Sequence, residues 1–164
     1  SLEECKTLGE KVNKNAGTMG VAFTSCTVPA AGKPTFDIGD DEMEFGVGIH
    51  GEPGRKREKI QPSKTIVGNI LDAILDNLKP ENNEKTLLFV NGMGGTPLTE
   101  LYLVYDDACQ ILQSKGIEVT RSLVGNYCTS LEMQGVSITL LKCDEEIAKH
   151  WDSPVHTAAM RWGM

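Results

Sequence analysis

The stretch EFGVGIHGEPG, Glu44 to Gly54, brings an imidazole, His50, next to two glycines, Gly46 and Gly48, with Glu52 just beyond it. Glycine weakens a strand interior unless a neighbour needs the space or the backbone needs an unusual angle. Read as a strand over 43–51, the segment alternates its side chains between two faces. Phe45, Val47 and Ile49 then share a core face, while Glu44, Gly46, Gly48 and His50 share the other. Two positions without side chains beside an imidazole leave a hollow that a small molecule could occupy. Gly51, Pro53 and Gly54 end the strand and place His50 at its carboxyl end, a favoured location for ligands in open α/β sheets. Glu52 is close enough in sequence to orient the ring or balance its charge. A plainer reading stays open, in which the histidine is a surface or hydrogen-bonded residue and the glycines only admit a neighbouring backbone. His150 and His156 have no comparable setting and read as structural.

Few other residues invite chemistry. The loop NGMGGTP, 91–97, could bind an anion, because glycine-flanked helix N-termini do so. It has neither the Gly-Lys-Ser/Thr of a phosphate loop nor G-x-G-x-x-G spacing, so tight strand-to-helix geometry is the favoured reading. Asp40-Asp41 and Asp106-Asp107 read as solvated charges, and no carboxylates pair for a metal. Cys5, Cys26, Cys109, Cys128 and Cys143 are scattered without a C-x-x-C, which signals neither zinc nor a disulfide framework. Reduced cysteines fit a cytoplasmic protein. A net charge of −7 gives no long-range attraction to nucleic acid or anionic lipid, so neither partner is expected. No apolar run reaches membrane-span length, and no signal-peptide pattern is seen.

The elements that must position His50 follow from periodicity. Leu2, Cys5, Leu8 and Val12 predict a helix over 2–15, with Gly17 as its stop. Strands are expected at 18–26 and 43–51, joined by a proline- and glycine-punctuated loop. The basic run Arg55-Lys56-Arg57 reads as solvated loop. Pro62-Ser63 opens a helix with Ile66, Ile70, Ala73, Ile74, Asn77 and Leu78 on one side. A turn at 80–84 leads to KTLLFVN, a strand of the fully buried kind. Thr96 as N-cap and Pro97 at the first helical position open a helix running to about Ser114. Strands at 117–125 and 136–143, a short helix at 144–151 and an irregular tail complete the chain. The order α-β-β-α-β-α-β-β-α predicts one α/β domain, a mixed sheet with helices packed on it.

Four segments resemble a known family: CTVPAAGKP (26–34), EMEFGVGIHGEPG (42–54), NYCTSLEMQGVSITLLK (126–142) and WDSPVHTAAMRWG (151–163). In this order they are similar to the carboxyl-terminal half of the dihydroxyacetone-binding K subunit of dihydroxyacetone kinases. The resemblance implies a two-layer α/β domain over 1–164, and it implies that an amino-terminal half carrying a glycine-rich loop and a catalytic carboxylate is absent. The start at Ser1 without methionine agrees with a piece of something longer.

That resemblance also implies that His50 is the catalytic residue, bonding covalently to the carbonyl of dihydroxyacetone. Gly46, Gly48 and Glu52 complete the expected substrate site. A neutral imidazole nitrogen can add to a ketone to form a hemiaminal, whereas glycerol offers no carbonyl to attack. No metal or cofactor is expected on this chain. ADP or ATP and Mg are expected on a partner, an L-type subunit fed from phosphoenolpyruvate through the phosphotransferase system, and the K-type chain is expected to dimerise. No fused ATP-binding domain is expected after the family's WG ending. A competing class is a triose-binding coactivator of a transcription regulator that keeps the histidine without catalysis.

Overall fold

The successive apolar positions of KTLLFVNG form strand β4 (Lys85–Gly92), which is buried on both faces. Leu88 and Val90 join one core, and Leu87 and Phe89 join another on the opposite side of the sheet. The computed structural model describes residues 1–49 and 54–163; His50, Gly51, Glu52, Pro53 and Met164 lie outside the described residues.

Preceding β4 are α1 (Leu2–Asn15), β1 (Ala16–Ala22), β2 (Glu42–Phe45), β3 (Lys56–Lys59) and α2 (Ser63–Leu78). After it come α3 (Leu98–Ser114), β5 (Glu118–Gly125), β6 (Gly135–Lys142) and α4 (Glu145–Trp151). Two short strands, β7 (Val155–His156) and β8 (Arg161–Trp162), end the described chain. The sheet runs β3-β2-β1-β6-β4-β5. Only β4 and β5 are parallel, and α3 supplies the crossover that parallel neighbours need. The remaining neighbouring pairs are antiparallel, so the sheet is mixed, as expected.

The larger core lies between the sheet and the α2–α3 pair. Ile66, Val67, Ile70, Leu71, Ile74 and Leu78 of α2 pack with Leu101, Ala108 and Leu112 of α3 over Val136, Ile138 and Leu140 of β6. Each such Val, Leu or Ile side chain, fully buried, contributes about 1.5–3 kcal/mol. The buried stripe of α2 takes in Val67 and Leu71 instead of the expected Ala73 and Asn77, because the helix faces both β1 and α3. On the other face, α1 and α4 cover Leu87, Leu141 and Cys143. Lys11 joins these two helices through Asp144 and Glu146.

Three further expectations about the elements change. Lys56 and Arg57 of the basic run are not loop, since Lys56–Lys59 pairs with β2 as an edge strand whose charges discourage further pairing. The tail is not irregular throughout, since Val155 faces Trp162 across a hairpin and Trp162 packs edge-on against Trp151 at 5.9 Å. Gly17 does not stop α1, because the chain is already extended at Ala16 and β1 begins there.

Candidate functional site

Strand β2 ends at Phe45, earlier than the 43–51 expected, and the reason is Gly46. Its φ of +79° is a conformation that side-chain-bearing residues rarely adopt, and its N–H donates to the Gly20 carbonyl at 2.7 Å. A β carbon at this position would lie 3.0 Å from Arg55 Cγ. The turn breaks the alternation of faces. Phe45 joins the α2–α3 core as expected, but Val47 is buried on the opposite side, against Ala22, Cys26, Met93 and Met133. Ile49 is exposed rather than part of a core face, and Gly48 is half-buried. The face argument therefore stops at Gly46 and cannot be carried to His50. His50 and Glu52 themselves lie outside the described residues.

The chain returns at Gly54, and Glu44 receives it. Glu44 is 7 % exposed, although its charge would lead one to expect solvent. Its Oε1 accepts the Gly54 N–H at 2.8 Å, while its Oε2 accepts Arg57 Nε at 3.1 Å and Nη2 at 2.7 Å. The same carboxylate raises the Arg57 guanidinium above its ordinary value. Arg55 N–H closes the ladder on the Phe45 carbonyl at 2.6 Å. Thus the described residues on either side, Gly46 before and Gly54 and Arg55 after, are each held by hydrogen bonds. Sequence reasoning placed Glu44 on the ligand face without a role, and its pairing with Arg57 could not be read because KREK carries no strand signal.

Loops from three other places meet the same small core. Asn91, 2 % exposed, accepts the N–H groups of Tyr127 and Cys128 and donates to the Cys128 carbonyl at 2.8 Å. It thereby pins the 126–134 loop to the end of β4. Thr96 does not cap α3. Its hydroxyl donates to the Gly135 carbonyl at 2.7 Å and accepts the Gly135 N–H at 2.9 Å, and Pro97 occupies the N-cap position. The GMGG amides are spent on the protein: Gly94 N–H donates to Asn126 Oδ1 at 3.0 Å and Gly95 N–H to the Met133 carbonyl at 2.8 Å. This geometry supports tight packing rather than anion binding as the reason for the glycines. Glu132 ties in the third loop. Backbone hydrogen bonds from its own amide and that of Thr27 hold its carboxyl below the ordinary value.

Asp106 is exposed as expected, but Asp107 is buried and accepts the Ser63 hydroxyl at 2.7 Å, which joins α3 to the start of α2. His150 and His156 are both exposed, at the end of α4 and in β7. Among the described residues no group of His, Cys, Asp and Glu could hold a metal ion, and no helix is long and apolar enough to cross a membrane.

The mixed sheet with helices packed on it matches solved structures of dihydroxyacetone kinase and a related co-activator. The chain superposes with a TM-score of 0.87 on the dihydroxyacetone kinase operon co-activator Dha-DhaQ, at 32% identity, covering 94% of this chain and 48% of that one. With the native dihydroxyacetone kinase of C. freundii the TM-score is 0.79 at 26% identity, over 99% of this chain and 29% of that one. Residues 1–159 match the Dak1 domain, and the chain belongs to that family. It is 42% identical to the dihydroxyacetone-binding subunit DhaK of the PEP-dependent dihydroxyacetone kinase of Escherichia coli (strain K12), over 99% of this chain and 52% of the relative. It is 49% identical to the DhaK subunit of the PTS-dependent dihydroxyacetone kinase 1 of Listeria innocua, over 89% and 44%. The chain thus spans about half the length of these curated relatives.

Proposed function

We propose that this chain is the substrate-holding domain of a dihydroxyacetone kinase and that it binds dihydroxyacetone covalently through His50. The observation that carries the reading is the Dak1 match over 1–159, which includes GVGIHGEPG at 46–54. Relatives at 42% and 49% identity are named dihydroxyacetone-binding subunits. In this reading His50 anchors the carbonyl, Gly46 and Gly48 shape its approach, and Glu52 orients the ring. The bond immobilises a terminal hydroxyl for phosphoryl transfer. Chain 1–164 corresponds to the carboxyl-terminal half of the subunit. The base that takes the hydroxyl proton belongs to an amino-terminal half. The phosphate donor is an L-type subunit that holds ADP and Mg and is recharged from phosphoenolpyruvate. The assembly is a cytoplasmic one built on a K-type dimer.

Calorimetric titration tests the substrate class. Dihydroxyacetone should bind and glycerol, which has no carbonyl, should not. Equal binding of the two would overturn recognition by reactivity. Gly48→Val should weaken triose binding at least tenfold while lowering the melting temperature little, because Gly48 is half-buried and two residues from His50. A loss of stability that accounts for the whole binding defect would assign Gly48 to packing alone.

A second reading, a triose-binding coactivator without catalysis, is favoured by the TM-score of 0.87 to the operon co-activator. Turnover separates the two only when both halves of the acceptor subunit are present. The 164-residue chain, mixed with donor subunit, phosphoenolpyruvate and relay proteins, should give no phosphorylated product. Phosphoryl transfer needs a base and positioned phosphates as well as an anchored acceptor. Turnover in that mixture, abolished by His50→Ala, would show that this domain holds the complete acceptor site.

A further inference from the structure

We infer that α1 is a releasable strap over the smaller core of the sheet, latched to α4 by Lys11, and that it opens while the rest of the fold stays closed. No residue of α1 is buried, whereas α2 buries six, and Leu2 at the start of α1 is 87 % exposed. The side chains that α1 lays on the cluster of Leu87, Leu141, Cys143 and Ile147 are Leu8 and Val12, both half-buried. Gly9 weakens the middle of the helix. An added β carbon there would meet no atom within 4 Å, so no close approach requires the glycine, and glycine in a helix interior disfavours the helix relative to alanine. The capping box of Ser1 and Glu4 holds the first turn. A lone helix of this length is nonetheless marginal in water, so α1 unravels once it leaves the sheet.

The attachment is ionic. Lys11 Nζ lies 2.5 Å from Asp144 Oδ2 and 2.6 Å from Glu146 Oε2. Both carboxylates stand on a fixed element. Asp144 caps α4 by accepting the Ile147 N–H at 2.9 Å, and Ile147 is buried. Just past α4, Asp152 accepts Arg121 Nε and Nη2, each at 2.7 Å. One side of the latch is therefore anchored, and the other rests on the weaker helix. Segments with little buried apolar surface open locally at far lower cost than the whole domain. The side chains of Asp144 and Glu146 are each more than half exposed, so dissolved salt screens their pull on Lys11. Opening brings Leu87, Leu141 and Cys143 to solvent, leaves the α2–α3 core shut, and is set by ionic strength.

Hydrogen exchange and thiol labelling of the whole chain test the strap together. The α1 amides should exchange as one group, with protection about a hundredfold or more below that of the β1–β6 ladder. Cys143, 3 % exposed, should react with N-ethylmaleimide in native buffer at a rate that follows α1 exchange, read by peptide mass spectrometry. Lys11→Met keeps an apolar stem and removes the charge, and it should raise both rates about two- to fivefold. Concentrated NaCl should do the same in wild type and add little in Lys11→Met. Gly9→Ala should slow both rates about fivefold by favouring the helix. Protection of α1 equal to that of the β1–β6 ladder would overturn the strap, and so would labelling of Cys143 no faster than global unfolding allows. Rates in Lys11→Met equal to wild type at both low and high salt would overturn the ionic latch.

Discussion

Carbon-13-labelled dihydroxyacetone, added to excess protein, should lose its carbonyl resonance and gain that of a saturated carbon bearing nitrogen and oxygen. In the proposed reaction the lone-pair nitrogen of neutral His50 attacks the ketone carbon. The π electrons move to the carbonyl oxygen, which takes up a proton, and the ring gives up its remaining N–H proton. A neutral hemiaminal results, with no other reactant required. His50→Ala should abolish the new signal completely, the largest functional effect expected of any single substitution. Acid should also suppress it. A protonated ring has no lone pair to attack with, and unperturbed histidine titrates near pH ~6.5, so adduct is present above the ring's titration and lost as pH falls through it. An unchanged spectrum at saturating protein, or the same adduct in His50→Ala, would exclude the covalent anchor.

Among the glycines with described surroundings, Gly94→Ala should be the most destabilising single-methyl addition. Gly94 has a φ of +120°, and a β carbon there would lie 2.0 Å from the Leu131 carbonyl oxygen. The unfavourable backbone angle costs about 1–3 kcal/mol, and forcing a packed backbone aside adds about 1–3 kcal/mol. Their sum is a large share of a total stability of about 5–15 kcal/mol. At this chain length each kcal/mol lowers the melting temperature by about 2–4 °C, so a fall of roughly 10 °C is expected in a thermal melt. Gly68, in the middle of α2, has no atom within 4 Å of an added β carbon. Gly68→Ala should leave the protein as stable or raise its stability by about 0.5–1 kcal/mol through helix propensity. If the two substitutions cost the same, the 94–131 contact does not govern that end of the sheet.

These contrasts show how local and distant information divide. Helices α1, α2 and α3 and the central strands were legible because apolar repeats, or a continuous apolar run in β4, specify an element with little outside help. Strand β3 was not legible, because KREK carries no apolar alternation and becomes a strand only through its pairing with β2. The hairpin β7–β8 was hidden for the same reason, as two-residue strands have no periodicity to read.

The candidate site divides in the same way. Gly46, Gly48, His50 and Glu52 were singled out by their types and spacing with a structural reading still open, and the resemblance of whole segments to one family supplied the chemistry to ask about. The tertiary structure decided what the neighbouring polar groups do. Thr96, a plausible cap by position, bonds to Gly135, 39 residues away, and Asp107, a plausible surface charge, bonds to Ser63, 44 residues away. Glu44 faces inward because Arg57 and the Gly54 amide fill its acceptor sites once β2 and β3 are paired. Apolar periodicity is a property of neighbouring residues and survives in the sequence alone. The satisfaction of a buried polar group depends on partners that only folding brings within hydrogen-bonding distance.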